Sequence, residues 1–201
     1  MKMKVGITGG IGAGKSAVCK YVEVLGYPVY YADDRAKEII VAHQTVRARI
    51  IALLGQEAYT SEGYNRAWVS RQVFSSPEKL AKLNSIVHPA VKEDFSLWAS
   101  AQTAPIIFKE AAIMLEQSAA ERNVDVVVAV MAPRAERLIR IQQRDPQRSA
   151  SEIQKIIDRQ MPEAQMTALA DVIINNGDHD ALIPQINDLI AHLSKSVGKL
   201  I

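Results

Sequence analysis

The run Gly9-Gly10-Ile11-Gly12-Ala13-Gly14-Lys15-Ser16 decides the reading of this chain. It fits the pattern G-x-x-x-x-G-K-[ST], with Gly9 and Gly14 in the two fixed glycine places and Gly10 and Gly12 added inside the loop. Glycine lets backbone N–H groups turn inward and approach an anion with no Cβ in the way. Gly10, Ile11, Gly12, Ala13 and Gly14 are therefore candidate nucleotide-binding positions. Lys15 reaches the terminal phosphates, and the Ser16 hydroxyl is the candidate ligand for Mg²⁺. Context strengthens the pattern. The apolar run Val5-Gly6-Ile7-Thr8 precedes the loop, and Ala17 to Val22 follows it with helical spacing. A strand enters the loop and a helix leaves it, pointing its positive end at the phosphate. The pattern implies binding of a nucleoside triphosphate.

Bulk properties narrow the setting. A chain of 201 residues suits one globular domain with a small insertion. Hydrophobic residues at 48% and charged residues at 23% suffice for an ordinary core. A net charge of +2 gives no ground for nucleic acid or an anionic membrane as partner. The single cysteine, Cys19, forms no internal disulfide, which points to a reducing compartment. No basic segment followed by an apolar stretch stands at the start, and the longest apolar runs, such as 126–132, are too short to cross a bilayer. A soluble cytoplasmic protein is expected, a monomer or weak homo-oligomer.

Along the chain, strand signals recur at Val5–Thr8, Val29–Tyr31, 105–109, 125–130 and 171–175. Helical stretches separate them, which predicts a parallel sheet with helices on both faces. Asp33 and Asp34 lie just past the second strand and at a helix start, the usual edge for ligand chemistry in such sheets. The same pair would also serve as an N-cap and a first-turn acid. Residues 45–101 carry little strand signal. Gly55 ends one predicted helix, Pro77 starts another, and Pro89 is expected to interrupt it before a further helix to about Gln102. This excursion predicts an inserted helical subdomain where a second substrate docks. Pro133 opens a helix carrying Arg134, Arg137, Arg140 and Arg144, which Asp145-Pro146 stops. Ser149 and Glu152 then fit a capping box.

A phosphate loop alone does not select a chemistry. No Asn-Lys-x-Asp guanine reader is present, and the strand at 126–130 runs into Met131-Ala132-Pro133 rather than an acid. Small-molecule kinases need a basic lid, an acceptor pocket and an acid near the attacking hydroxyl. Arg140 and Arg144, four apart on one helix face, are the lid candidates, since a guanidinium contacts two phosphoryl oxygens at once. The plainer reading is a solvated basic face paired with Glu136, Asp145 and Glu152.

With these residues in place the chain resembles the dephospho-CoA kinase family. The lead-in Thr8-Gly9-Gly10-Ile11-Gly12 is similar to that family's loop, and Ala32-Asp33 followed by Ala36 looks like its Asp-Ala-Asp segment. Leu83-Asn84 with His88-Pro89 resembles its Leu-Asn-x-x-x-His-Pro motif, and Leu115-Glu116 the end of its Pro-Leu-Leu-x-Glu motif. Gln143-Arg144-Asp145, Arg159-Gln160, Ala170 to Ile173 and Asn175-Asn176-Gly177 complete the match in the family's order. Three positions depart. Tyr31 replaces the first Asp of Asp-Ala-Asp, Ala112 the Pro of Pro-Leu-Leu, and Ala17 the Thr after the loop serine.

The resemblance implies an α/β, three-layer P-loop fold with a five-stranded parallel sheet, a helical substrate-binding insertion and a short helical lid. Within one kinase domain it implies a core at about 1–44, 103–136 and 169–201, an insertion at about 45–102 and a lid at about 137–168. The implied activity is ATP- and Mg²⁺-dependent phosphorylation of the ribose 3′-hydroxyl of dephospho-CoA, the last step of coenzyme A synthesis. Lys15 would neutralise developing charge, Ser16 would ligate Mg²⁺, and Asp33 would orient the acceptor hydroxyl and take its proton. Arg140 and Arg144 would close from the lid, His88 would hold the acceptor, and Asn175 would contact adenine. Another small-metabolite kinase, or a nucleotide-binding module without turnover, stays open as an alternative.

Overall fold

The computed structural model describes residues 2–74 and 76–198; residue 1 and residues 199–201, at the outer ends of the expected core segments, lie outside them. In chain order the elements are β1 (Met3–Thr8), α1 (Lys15–Val24), β2 (Val29–Tyr31), α2 (Ala32–Ala42) and α3 (Gln44–Leu54). Next come β3 (Tyr59–Thr60), β4 (Gly63–Tyr64), α4 (Arg66–Phe74), α5 (Pro77–Ala101) and β5 (Ile106–Glu110). The chain continues through α6 (Ala119–Arg122), β6 (Val126–Met131), α7 (Arg134–Arg144) and α8 (Ala150–Asp158). It closes with α9 (Glu163–Leu169), β7 (Val172–Asn175) and α10 (Leu182–Gly198). Two compact units result: one holds the residues up to Tyr31 and those from Gln102 on, the other Ala32–Ala101.

The first unit is built on the expected five-stranded parallel sheet, in the order β2-β5-β1-β6-β7. Its central strand, β1, is buried from Val5 to Thr8, with apolar Val5 and Ile7 on one face and Lys4, Gly6 and Thr8 on the other. Val5 and Ile7 point into a core with Val18, Cys19 and Val22 of α1 and Ile186, Leu189 and Leu193 of α10. Between them Gly6 leaves room for the Met114 thioether, which a Cβ there would overlap. The strands β2 and β5 lie on one side of β1 and β6 and β7 on the other. That arrangement opens a crevice beyond the carboxyl end of β1, where the glycine loop emerges.

In the second unit α5 is the spine. Pro77 is its first helical residue, and the Ser76 hydroxyl accepts from Lys79 N–H at 3.3 Å. The expected break at Pro89 does not occur: α5 runs unbroken for 25 residues. A proline removes one intrahelical hydrogen bond. Burial on both sides of it, by Leu83, Ile86 and Val87 before and Val91, Phe95 and Ala99 after, holds the two halves as one helix. The Asp94 carboxylate takes the Arg35 fork at 3.0 and 2.6 Å, fixing α2 to the spine. Gly55, at φ +105, ends α3 as expected, and β3 and β4 form a short hairpin around Ser61-Glu62-Gly63. The helix α2 packs on α5 and α3, so it groups with this unit.

Cys19 is fully buried beneath the glycine loop. Burial first, then the carboxylates of Glu110 and Glu23, push its thiol up to about 12, with Lys15 opposing. The unfolded chain ionises near ~8.5, so this contribution to stability is fully present below that pH and fades as pH rises toward the folded value. We expect iodoacetamide to spare Cys19 at pH ~8 in the native protein and to label it in denaturant. Equal labelling rates in the two states would contradict that burial.

Candidate active site

The loop folds as a cradle because its glycines take conformations other residues avoid. Gly14, at φ +96, ends the loop in the left-handed region and caps α1. A Cβ on Gly14 would overlap the Asn176 amide, so a side chain here meets backbone strain and must displace Asn176. Ala13 N–H donates to Gly10 C=O at 3.1 Å and tightens the turn. Lys15 reaches back across the loop and donates to Gly9 C=O at 3.0 Å. The Glu110 carboxylate, at the end of β5, stands 3.9 Å from the same ammonium, both side chains being largely buried. Ser16 is exposed in the first turn of α1.

Two further groups hold the cradle from outside. Asn176, just past β7, donates from its side chain to Ala13 C=O at 2.8 Å. Arg137 of α7 is buried, and its Nε donates to Ile11 C=O at 2.9 Å. Its Nη2 donates to Gln160 Oε1 at 2.8 Å and its Nη1 to Glu163 Oε1 at 3.2 Å. The same Gln160 oxygen accepts from Ile11 N–H at 3.0 Å, so Ile11 makes its N–H bond within the protein here.

The lid candidates divide. Arg140 donates to Asn176 C=O at 2.7 Å, to Asp178 at 2.7 Å and to Glu136 at 3.1 Å, which ties α7 to the loop after β7. Arg144, at the exposed end of α7, pairs with Asp145 at 2.9 Å and holds that carboxyl below its usual range. The capping box of Ser149 and Glu152 forms as expected and starts α8. Asn175 is exposed and pairs its backbone with the Gln185 amide, while its neighbour Asn176 is the residue that reaches the loop. A cavity of about 210 Å³ opens beside Gly9 and Gly10, lined also by Met114, Glu116, Arg159 and Met161.

In the second unit Asp33 is exposed in the first turn of α2, two residues beyond β2. The adjacent Asp34 is taken by Lys37 at 2.6 Å. His88 is exposed on α5. Tyr31, back in the first unit, packs on the sheet core, and burial and a hydrogen bond to Glu23 raise the pKa of its hydroxyl.

From the sequence Glu110 has no assigned role at the site, whereas Arg137 opens the expected lid stretch and Gln160 and Asn176 fall in family-like motifs, none of the three with a role at the loop. Glu110 carried the clearest signal, an acid closing an apolar strand. Arg137 sits in an arginine series that reads as a surface, and nothing in the sequence marks it as the inward member.

A sequence model of dephospho-CoA kinase matches residues 3–181. The chain belongs to the dephospho-CoA kinase family. A dephospho-CoA kinase from Bacteroides fragilis is 36% identical over all of this chain and 97% of its own length. A Thermus thermophilus protein, TT1252, superposes with a TM-score of 0.81 at 30% identity, over 96% of this chain and 97% of its own. A dephospho-CoA kinase from Campylobacter jejuni has the same fold, with a TM-score of 0.67 at 24% identity, over 98% and 99% of the two chains. The family expectation drawn from the motifs is met, and with it the transferase class and the fold.

Gly14→Ala should leave the circular-dichroism spectrum intact and weaken ADP binding at least about tenfold, since the added methyl meets both backbone strain and Asn176. Unchanged ADP affinity by calorimetry would show that the loop does not hold the nucleotide.

Proposed function

We propose that this protein transfers the γ-phosphoryl group of ATP to the ribose 3′-hydroxyl of dephospho-CoA, giving coenzyme A and ADP. The observation that carries the reading is the braced phosphate loop at the carboxyl end of the central strand, in a chain of this family. The protein would act in the cytoplasm as a monomer or weak homo-oligomer, on a small-molecule acceptor and with neither nucleic acid nor membrane as partner. Among the described residues no helix is long and apolar enough to cross a membrane.

Phosphoryl transfer asks the protein for position and for compensation of charge. The loop backbone and the start of α1 supply N–H groups and a positive helix end to the β- and γ-phosphates. Lys15 lies on the inner side of the loop, and its bond to Gly9 C=O keeps the ammonium there in readiness for the terminal phosphate. Mg²⁺ suits the donors present: Ser16 offers an exposed hydroxyl and Glu110 a carboxylate, both hard oxygen ligands. When bound with the triphosphate, the ion would neutralise charge on the phosphate oxygens.

Arg140 and Arg144 supply guanidinium groups now matched by Glu136, Asp178 and Asp145; a triphosphate would compete with these acids for them. The cavity beside Gly9 and Gly10, with an apolar wall and the polar groups of Thr8, Glu116, Arg159 and Gln160, is suited to part of the acceptor. Asp33, at the start of the helix after the second strand, is assigned to accept a hydrogen bond from the attacking hydroxyl and then its proton. His88 is assigned to hold the acceptor, and Asn175 to contact adenine.

The test is ADP formation from ATP and Mg²⁺ with dephospho-CoA, AMP, adenosine or no acceptor in parallel. Turnover with dephospho-CoA alone, giving a product that migrates as coenzyme A, is expected. Turnover with AMP or adenosine instead would keep the kinase and remove this acceptor. Asp33→Asn should lower kcat at least about a hundredfold with ATP binding retained. Near-normal turnover would take Asp33 out of the mechanism.

A further inference from the structure

The tip of the glycine loop is not held by the loop itself. Ile11 presents one N–H and one C=O, and both are taken by side chains more than a hundred residues away in sequence, Gln160 Oε1 and Arg137 Nε. The two side chains are bonded to each other, Arg137 Nη2 to Gln160 Oε1 at 2.8 Å. A closed ring follows: Ile11 peptide groups, guanidinium, amide oxygen. Arg137 is only 6% exposed, and all three of its guanidinium nitrogens donate to named acceptors, as a buried guanidinium requires. The Ile11 side chain meanwhile packs on a small apolar cluster of α7 and α8, made by Ile141, Ile153 and Ile157 with Leu138.

The two extra glycines belong to the same device. A Cβ on Gly10 would run into the Arg137 guanidinium, and one on Gly12 would press on the Arg137 backbone carbonyl and the Ile141 side chain. The loop is glycine-rich beyond the bare motif because α7 lies against it, not only because phosphate must approach.

We propose that Arg137 and Gln160 are positioning residues for nucleotide: through the two peptide groups flanking Ile11 they lock the phosphate loop in its anion-binding shape and couple it to α7, α8 and α9. Neither residue needs to touch ATP. A loop that must expose N–H groups to a polyanion loses affinity if it samples other shapes, so pre-ordering it raises affinity for the triphosphate. The inference rests on the phosphate-loop reading above.

The test separates the amide oxygen from the bulk of the side chain. Gln160→Leu keeps the volume and removes the acceptor shared by Ile11 and Arg137. It should raise the KM for ATP, and the Kd for ADP, by about tenfold while kcat at saturating ATP changes by less than about twofold. Gln160→Glu retains an acceptor oxygen in the same place and should restore near-wild-type ATP affinity. Arg137→Gln should resemble Gln160→Leu. The double variant, Arg137→Gln with Gln160→Leu, should be no worse than about the more severe single one, because both hold one residue, Ile11, and are bonded to each other.

A merely structural role would lower the melting temperature and the active fraction of all variants, leaving the ATP KM of the folded fraction unchanged. That outcome, or multiplying effects in the double variant, would overturn the proposal. Should Arg137→Gln fail to fold, the Gln160 pair decides alone. Lys15→Ala is the control for the underlying reading. Loss of transfer in that variant with unchanged ATP KM in Gln160→Leu would remove this proposal only. Retained transfer in Lys15→Ala would remove the phosphate-loop reading itself.

Discussion

A loop that presents N–H groups to a phosphate has to be fastened by its carbonyls, and that constraint organises this site. Gly9 C=O accepts from the Lys15 ammonium, Gly10 C=O from Ala13 N–H, Ile11 C=O from Arg137 and Ala13 C=O from Asn176. Gly14 C=O accepts from Ala17 N–H at 3.0 Å as α1 begins. Each bond satisfies a loop carbonyl within the protein and fixes the backbone around it. The fasteners come from the loop, α1, α7 and the end of β7, so the cradle exists only when β1, β6 and β7 are already paired.

The supporting side chains are themselves polar and need partners, which explains why charges gather around the loop. Arg140 bonds Asn176 C=O, next to the amide that holds Ala13, and is balanced by Glu136 and Asp178. Glu136 Oε2 also accepts from Asp178 N–H at 2.9 Å, so one carboxylate serves both the helix and the loop after β7. Such networks are worth more intact than in parts, since each member left unsatisfied in a dry place is costly. No buried side-chain nitrogen or oxygen among the described residues lacks a hydrogen-bond partner.

Much of this was legible in the sequence where a signal is local. The strand–loop–helix start, the five strands, the Ser149–Glu152 capping box and the proline start of α5 depend on neighbours in the chain, and each formed as read. What was missed depends on distant neighbours. Pro89 signals a break locally, yet the buried face of α5 continues through it, and packing outweighs one lost hydrogen bond. Of the arginines 134, 137, 140 and 144, only the fold shows that Arg137 turns inward while Arg134 and Arg144 stay outside. Of two adjacent asparagines, the strand's end sets Asn176 toward Ala13.

The departures from the family pattern acquire physical meaning from their surroundings. Tyr31 ends β2 opposite Glu110 of β5, and its ring lies on the core beside α1, with the hydroxyl bonded to Glu23. A carboxylate at that position would be placed among apolar groups near the carboxylates Glu23 and Glu110, a setting that penalises its charge. A tyrosine avoids that cost, because its hydroxyl stays neutral and its ring adds buried area. Glu110, freed from a like-charged neighbour on β2, remains the acid that faces Lys15. The exchange of an acid for Tyr31 therefore leaves one carboxylate, rather than two, to set the electrostatics beside the loop lysine.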